Sequence, residues 1–199
     1  MEISAAEVKK LREKTDAGFM DCKAALIEAE GDFEKAVDIL RKKGVAVASK
    51  REGKAATQGV VISYIHAGNQ VGVLVEVNCE TDFVGRTDDF RAFAQEVGMQ
   101  IAAMRPRWVS PEDVPQEALD RERAVLIEQA KAEGKPENIA EKMVEGRMRK
   151  FFEEHCLLSQ KYIRDDSKTI GALLTDLMGK TGEKVAVRRF VRYQVGEEL

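Results

Sequence analysis

The spacing of apolar positions changes along the chain, and each change predicts a different kind of element. Over the first 44 residues the spacing is three to four. Ser4 and Glu7 form a capping box for a helix through Val8 and Leu11 to about Lys14, where "TDAG" breaks it. A second helix, from about Phe19 to Ala29, places Phe19, Cys22, Leu26 and Ala29 on one face and ends at Gly31. Asp32 caps a third helix with Phe33, Ala36, Val37 and Leu40 on one stripe, ending at Gly44. Residues 1–44 are therefore expected to form a compact three-helix module. Residues 45–56 read as a basic linker with a short helix; from Arg41 to Lys54 there are six basic residues and one acid.

From residue 57 the period drops to two. Val60, Ile62 and Tyr64 alternate with Val61, Ser63 and Ile65, and Gly68-Asn69 supplies a turn. Val71, Val73, Val75 and Val77 then line one face of a second strand, which gives an antiparallel hairpin. A helix follows from about Asp88 to Met104, with Phe90, Phe93, Ala94, Val97, Ile101 and Met104 as its buried stripe and Pro106 beyond its end. Residues from about 111 to 155 hold two charge-rich helical stretches around Gly134 and Pro136. Their thin stripes, Leu119, Leu126 and Ala130 on one arm and Ile139, Met143 and Met148 on the other, suit a projecting helical hairpin. After an extended segment near 157–164, "DDSKTIGALLTDLMGKTG" predicts one more helix, with Ile170, Leu173, Leu174 and Leu177 inward. Val185, Val187, Val191, Tyr193 and Val195 alternate in a closing strand. Helices and strands that do not alternate regularly point to an α+β fold: an antiparallel-sheet core over residues 57–199, with the hairpin inserted.

Hydrophobic residues make up 44% and charged residues 34%, which fits a globular chain with a charged surface. The start, "MEISAAEVKK", carries an acid and no apolar run, so no secretory signal is expected, nor any membrane span or membrane partner. Cys22, Cys79 and Cys156 are few and far apart, which fits a reducing, cytoplasmic compartment rather than a disulfide framework. The net charge of −3 argues against direct nucleic-acid binding. The basic run Arg41 to Lys54 lacks the interleaved aromatics of single-strand binders and reads as a solvated linker.

Candidate chemistry is sparse. "GKT" at 179–181 lacks the earlier glycine of a phosphate-binding loop, since Leu174 stands there, and a helix precedes it; Gly179 and Gly182 read as helix-stop and turn glycines. His66, Cys79, His155 and Cys156 lack metal-ligand spacing, so no metal or other cofactor is expected. Glu76, Glu80, Asp82, Asp88 and Asp89 cluster in sequence, but acids at a strand end and helix start mostly serve as solvated charges or caps, and the chain is not expected to be an enzyme. The tip Thr81-Asp82-Phe83-Val84 stands out. One reading is a capping turn with Phe83 folded into the core. The other is that Asp82 and Phe83 protrude against a partner, since loops on rigid scaffolds carry function.

These residues also carry a resemblance. "NCETDFVGR" is similar to the NC-x-TDFV signature of bacterial translation elongation factor Ts. "LREKTDAGFMDCKAALIEAEGDFEKAVDILRKKG" resembles that family's N-terminal, ubiquitin-associated-like module, "GKPENIAEKMVEGRMRKFFEE" its helical hairpin, and "RRFVRYQVGE" its closing strand. The likeness covers nearly the whole chain. It implies a guanine-nucleotide exchange factor that binds elongation factor Tu, in GDP-bound and nucleotide-free forms, and makes or breaks no covalent bond. It implies partner contacts at Thr81, Asp82, Phe83 and Val84; at Phe19, Met20 and Lys23 of the N-terminal module; and at Gln100 in "MQIAAM". The alternative is a helix-surface binding module without exchange activity.

The chain departs from the family pattern in places. Asp16 stands for a glycine and Phe19 for a methionine, and Gly85 stands where alanine is common, which is expected to loosen the tip. Longer family members hold two related core units, whereas only one, residues 59–109, is present here. Short members of this kind pair as homodimers, and the same is expected here through the sheet or its edge, without a disulfide in the closing strand.

Overall fold

A computed structural model describes residues 3–15, 17–134 and 136–198; Asp16 lies outside the described residues. The elements in chain order are helices α1 (Ala5–Thr15), α2 (Phe19–Glu28) and α3 (Phe33–Arg51), strands β1 (Gln58–Ile65) and β2 (Val71–Cys79), helices α4 (Asp82–Gly85), α5 (Asp88–Met104), α6 (Gln116–Ala132) and α7 (Glu137–His155), strands β3 (Lys161–Tyr162) and β4 (Asp165–Thr169), helix α8 (Ile170–Thr181) and strand β5 (Val185–Gln194). Three strands form one antiparallel sheet in the order β1-β2-β5, and β3 and β4 form a small hairpin. The fold is α+β, as the periodicities predict. Among the described residues no helix is long and apolar enough to cross a membrane. Two compact units divide the chain: residues 1–61, 76–94 and 173–187 form one, and 62–75, 95–172 and 188–199 the other.

In the first unit, α1 to α3 close on Val8, Leu11, Cys22, Ala25, Leu26, Ala29 and Ala36. The capping box is present: Glu7 N–H donates to Ser4 Oγ at 3.2 Å, and Glu7 Oε2 accepts from Ser4 N–H at 2.8 Å. The chain turns out of α2 at the expected glycine, Gly31 (φ 83°), and at the residue before it. Glu30 itself takes the left-handed conformation (φ 53°), its N–H bonds Ile27 O, and Gly31 N–H reaches back to Leu26 O at 2.9 Å. Lys10 and Lys14 lie over the Phe33 ring, and Asp32 caps α3 through Lys35 N–H.

Two glycines expected to stop helices lie inside them instead. The third helix runs on through Gly44 to Arg51, across much of the expected linker, and α8 continues past Gly179 to Thr181. The reason is packing. A Cβ on Gly179 would stand 2.7 Å from Gly44 Cα, so α3 and α8 meet backbone to backbone where both lack side chains. Gly182, with φ 70°, is the residue that ends α8. Where β1 begins, Gly59 adopts φ 143°, and a Cβ there would come within 2.1 Å of Val77 O, so only glycine fits against β2.

In the second unit, α6 and α7 form the expected helical hairpin. Its core is Val114, Leu126, Met148, Phe151 and Cys156, flanked by Trp108, Leu119, Val144 and Phe152. Arg147 bridges the arms to Glu133 and Gln129. Ile139, expected on the buried stripe, is exposed, and so is Met104 at the end of α5. "DDSKT" is strand β4 rather than the start of a helix. Asp165 Oδ1 accepts from Ser167 N–H and Oγ, the segment pairs with β3, and Thr169 Oγ1 accepts Ala172 N–H at the true start of α8. That pair of bonds from Ser167 holds the Asp165 carboxyl below its usual range. Val191 and Tyr193 on β5 and Val195 just past it are exposed, although Val185 and Val187 earlier on the strand are buried.

The Gly44–Gly179 contact predicts an asymmetry. Gly179→Ala drives a Cβ into backbone that cannot move aside, so unfolding by urea should show a loss of about 1–3 kcal/mol. Gly44→Ala places its Cβ at an ordinary 3.7 Å from Thr175 O, and with alanine's helix preference it should be neutral or stabilising. Equal losses at both positions would mean that the two helices do not meet at these glycines.

Candidate functional site

The tip that follows β2 is built from a strand end, one helical turn and two acidic anchors, all within the first unit. At Cys79 the strand stops. Thr81, extended (φ −122°, ψ 156°), caps the four-residue α4: its Oγ1 accepts Val84 N–H at 3.4 Å, and its carbonyl accepts Gly85 N–H at 3.3 Å. Thr87 then caps the next helix through Phe90 N–H. The capping turn read from the sequence is therefore present, but Phe83 is not folded into the core. It is 82% exposed.

The turn divides its side chains by what holds them. Thr81, though exposed, is tied to Glu183 through its hydroxyl and Val84 is half-buried, whereas Asp82 and Phe83 are left to solvent. Asp82 carries one ion pair, to Arg86 one turn later at 2.8 Å, with both side chains largely exposed. Such a pair is worth about 0.3–0.5 kcal/mol in general, so the carboxylate is released to another donor at little cost. Below the turn, Gly85 is buried against Cys79 and Gly59. The Cys79 thiol donates to Thr81 O at 3.1 Å; burial, aided by the charge of Glu183, pushes its pKa up, so it stays a protonated thiol.

Two carboxylates hold the tip from behind. Both oxygens of Glu183 are taken by Thr81: its N–H at 3.0 Å and its hydroxyl at 2.7 Å. Glu80 accepts Lys184 N–H at 2.7 Å and pairs with Arg51 at 3.0 Å from the end of α3. The Lys184 ammonium in turn donates to Glu52 O. None of Glu183, Lys184 and Arg51 was picked out by the sequence pattern. They lie at the α8–β5 turn and at the end of α3, and no local spacing announces a bond spanning 102 residues.

The other expected contact residues divide. Phe19 (46% exposed) and Met20 (70% exposed) open the first turn of α2 with Lys23 exposed beside them, while Cys22 on the same helix is fully buried. Gln100, expected on a contact surface, lies in the interior instead. It is fully buried in the second unit, where its Nε2 donates to Gln160 Oε1 and Lys161 O, and its Oε1 accepts Ile163 N–H at 3.0 Å. Its amide is thus bonded to the segment around β3 and is not exposed at the surface. Among the described residues there is no group of three or more His, Cys, Asp or Glu placed to hold a metal.

The chain matches a family model described as Elongation factor TS over residues 5–197. It is 57% identical over 197 residues to the elongation factor Ts of Caldanaerobacter subterraneus subsp. tengcongensis, covering 99% of this chain and 98% of the relative. It is 57% identical over 198 residues to that of Syntrophobacter fumaroxidans, covering 100% of this chain and 99% of the relative. With that of Moorella thermoacetica it shares 56% over 197 residues, 99% of this chain and 97% of the relative.

Gly85 has an ordinary helical backbone, and a Cβ there would touch Cys79 Sγ at 3.4 Å and Gly59 Cα at 3.6 Å. Gly85→Ala should therefore stabilise the protein by about 0.5 kcal/mol, through a stiffer unfolded chain and a better helical turn. Chemical denaturation measures it, and a clear loss of stability would mean that the Cys79 sulfur cannot yield.

Proposed function

The chain belongs to the elongation factor Ts family of translation elongation factors, and on that premise we propose that it is a guanine-nucleotide exchange factor that binds elongation factor Tu and promotes release of GDP. The observation that carries this reading is Phe83, 82% exposed beside an acid on a turn anchored from behind. A phenylalanine left in water holds about 1.5–3 kcal/mol of unrealised burial. A rigidly based turn delivers that energy at a fixed place on a partner.

The physical logic is linkage. In the partner, Mg²⁺ and the amides of a phosphate-binding loop hold the β-phosphate of GDP electrostatically. Phe83 supplies apolar anchoring area, and Asp82, drawn from its weak pair with Arg86, accepts a charge-assisted hydrogen bond. Insertion of the two shifts the elements that carry the Mg²⁺ ligands. If this protein binds the nucleotide-free partner more tightly than the GDP form, it must weaken GDP by the same factor. No covalent bond changes, so the protein acts without enzyme chemistry, and it works in the cytoplasm. Phe19, Met20 and Lys23 provide a second contact on the partner. Thr81 and Val84 serve it from within, by holding the turn.

The stopped-flow release of fluorescent GDP from elongation factor Tu tests this. The parent should accelerate release strongly, and folded Asp82→Ala and Phe83→Ala variants should lose most of that acceleration. A folded parent that binds the partner without accelerating release would leave a binding module in place of an exchange factor.

We further propose a homodimer. The sheet face that carries Ile65, Leu74, Tyr193 and Val195 leaves all four exposed, and its opposite face is closed by α5, where Gly98 lies against Ile62 and Tyr64. Bare apolar sheet of this kind is what a second copy would cover. Sedimentation velocity should give a dimer for the parent and a monomer for Leu74→Glu, with unchanged circular dichroism. A monomeric parent at micromolar concentration would remove the dimer from this reading.

A further inference from the structure

We propose that Glu183 is a positioning residue for the Asp82–Phe83 tip, fixing the direction in which Phe83 is presented before any partner arrives. The functional half of this inference rests on the exchange reading above; the structural half stands without it.

A helix of four residues has no stability of its own, since its first hydrogen bond does not offset the ordering of its backbone. Something outside α4 must hold it. The local candidates are weak. Thr81 Oγ1 to Val84 N–H is long at 3.4 Å, Gly85 N–H to Thr81 O is 3.3 Å, and the Asp82–Arg86 pair is exposed. The short bonds run to Glu183, at 2.7 and 3.0 Å, and both have an ionised acceptor.

Glu183 is itself fixed. It follows Gly182, whose N–H closes the last turn of α8 on Met178 O, and its own N–H donates to Thr181 Oγ1, which donates to Leu177 O. The neighbouring residues repeat the arrangement in reverse. Glu183 reaches across to Thr81 while Glu80 reaches back to Lys184 N–H. Two adjacent residues on each segment thus clasp each other through carboxylates, and a rotation of the tip must break bonds in both directions. The Thr81 hydroxyl relays this hold, since it donates to Glu183 and accepts from Val84 N–H, the second residue beyond Asp82. The clasp sets orientation without touching a partner: Glu183 is spent on Thr81, and Phe83 and Asp82 remain free to bind.

The experiment has two arms. In the protein alone, Glu183→Ala should raise hydrogen exchange at Val84, Gly85 and Arg86 by about tenfold or more, the scale of one hydrogen bond to a charged group. Amides in the middle of α5 should keep their protection. Thr81→Val should do the same, and Thr81→Ser, which keeps the hydroxyl, should restore the parent pattern. Unchanged exchange at these three amides in folded Glu183→Ala overturns the proposal, whatever the protein does to nucleotide. In the second arm, GDP release is followed across concentrations of exchange factor. Glu183→Ala should lower the maximal release rate by about tenfold and move the half-saturating concentration less than twofold, because the remaining contacts are untouched. The Thr81→Val and Glu183→Ala losses should not multiply in the double variant. A parent-like maximal rate in the variant overturns the proposal. A parent that does not accelerate release, with tip exchange raised in the variant, overturns the exchange reading and leaves the tip's anchoring in place.

Discussion

The backbone contact between Gly44 and Gly179 sets how closely α3 and α8 cross, and the anchors of the tip stand at or just beyond the ends of those two helices. Past the crossing, α3 ends with Arg51 and is followed by Glu52, and α8 ends at Thr181, after which Gly182 turns the chain to Glu183 and Lys184. Each of the four reaches the tip or its clasp: Arg51 through Glu80, Glu52 through the Lys184 ammonium, Lys184 through Glu80, and Glu183 through Thr81. A side chain on Gly179 would hold the helices further apart, and bonds of 2.7 to 3.0 Å would stretch beyond use. A spacing set by missing side chains is well suited to a site whose precision depends on polar contacts, because backbone against backbone leaves little slack.

The energetics of the tip follow from what is paired and what is left unpaired. Glu80 is mostly shielded, and it is matched by a guanidinium and a backbone N–H, so its charge is compensated where desolvation would otherwise penalise it. Asp82 is the opposite case, an exposed acid with an exposed partner. Two acids two residues apart are thus bound by very different environments. Glu80 and Glu183 are committed to the fold, and Asp82 is held only loosely. The same contrast separates Cys79, sealed under the turn as a neutral thiol, from Phe83, which remains in water four residues later.

Much of the fold was legible in the apolar spacing. The β1–β2 hairpin, the α6–α7 hairpin and the opening capping box all appear where period and turn chemistry put them, and Gly68 and Asn69 take positive φ in the predicted turn. What failed were features whose cause lies far along the chain. A glycine within an apolar helical pattern reads as a stop, and only the position of Gly179 shows that Gly44 is a crossing point. Gln100 does carry a local signal of burial. It falls three residues after Val97 and beside Ile101, on the buried stripe of α5, and a polar side chain there implies internal hydrogen bonds rather than a contact surface. "DDSKT" misled for a different reason: acids before an apolar helix mimic its first turn, while Asp165 bonds Ser167 and keeps the segment extended.

The tip shows why the two readings of "TDFV" were not exclusive. A single helical turn can be held at some positions and left open at others. Thr81 and Val84 are three apart. The first caps and clasps, and the second is half-buried, so the turn is secured through them. Asp82 and Phe83, between them, are left exposed on the turn that those two residues hold. A cap that satisfies the backbone and a display of an acid with an aromatic ring are therefore one structure: the better Thr81 is held, the narrower the range of directions open to Phe83. Ordering the turn in the free protein moves that entropic penalty out of the docking step, so more of the burial energy of the ring is left to act on whatever it meets.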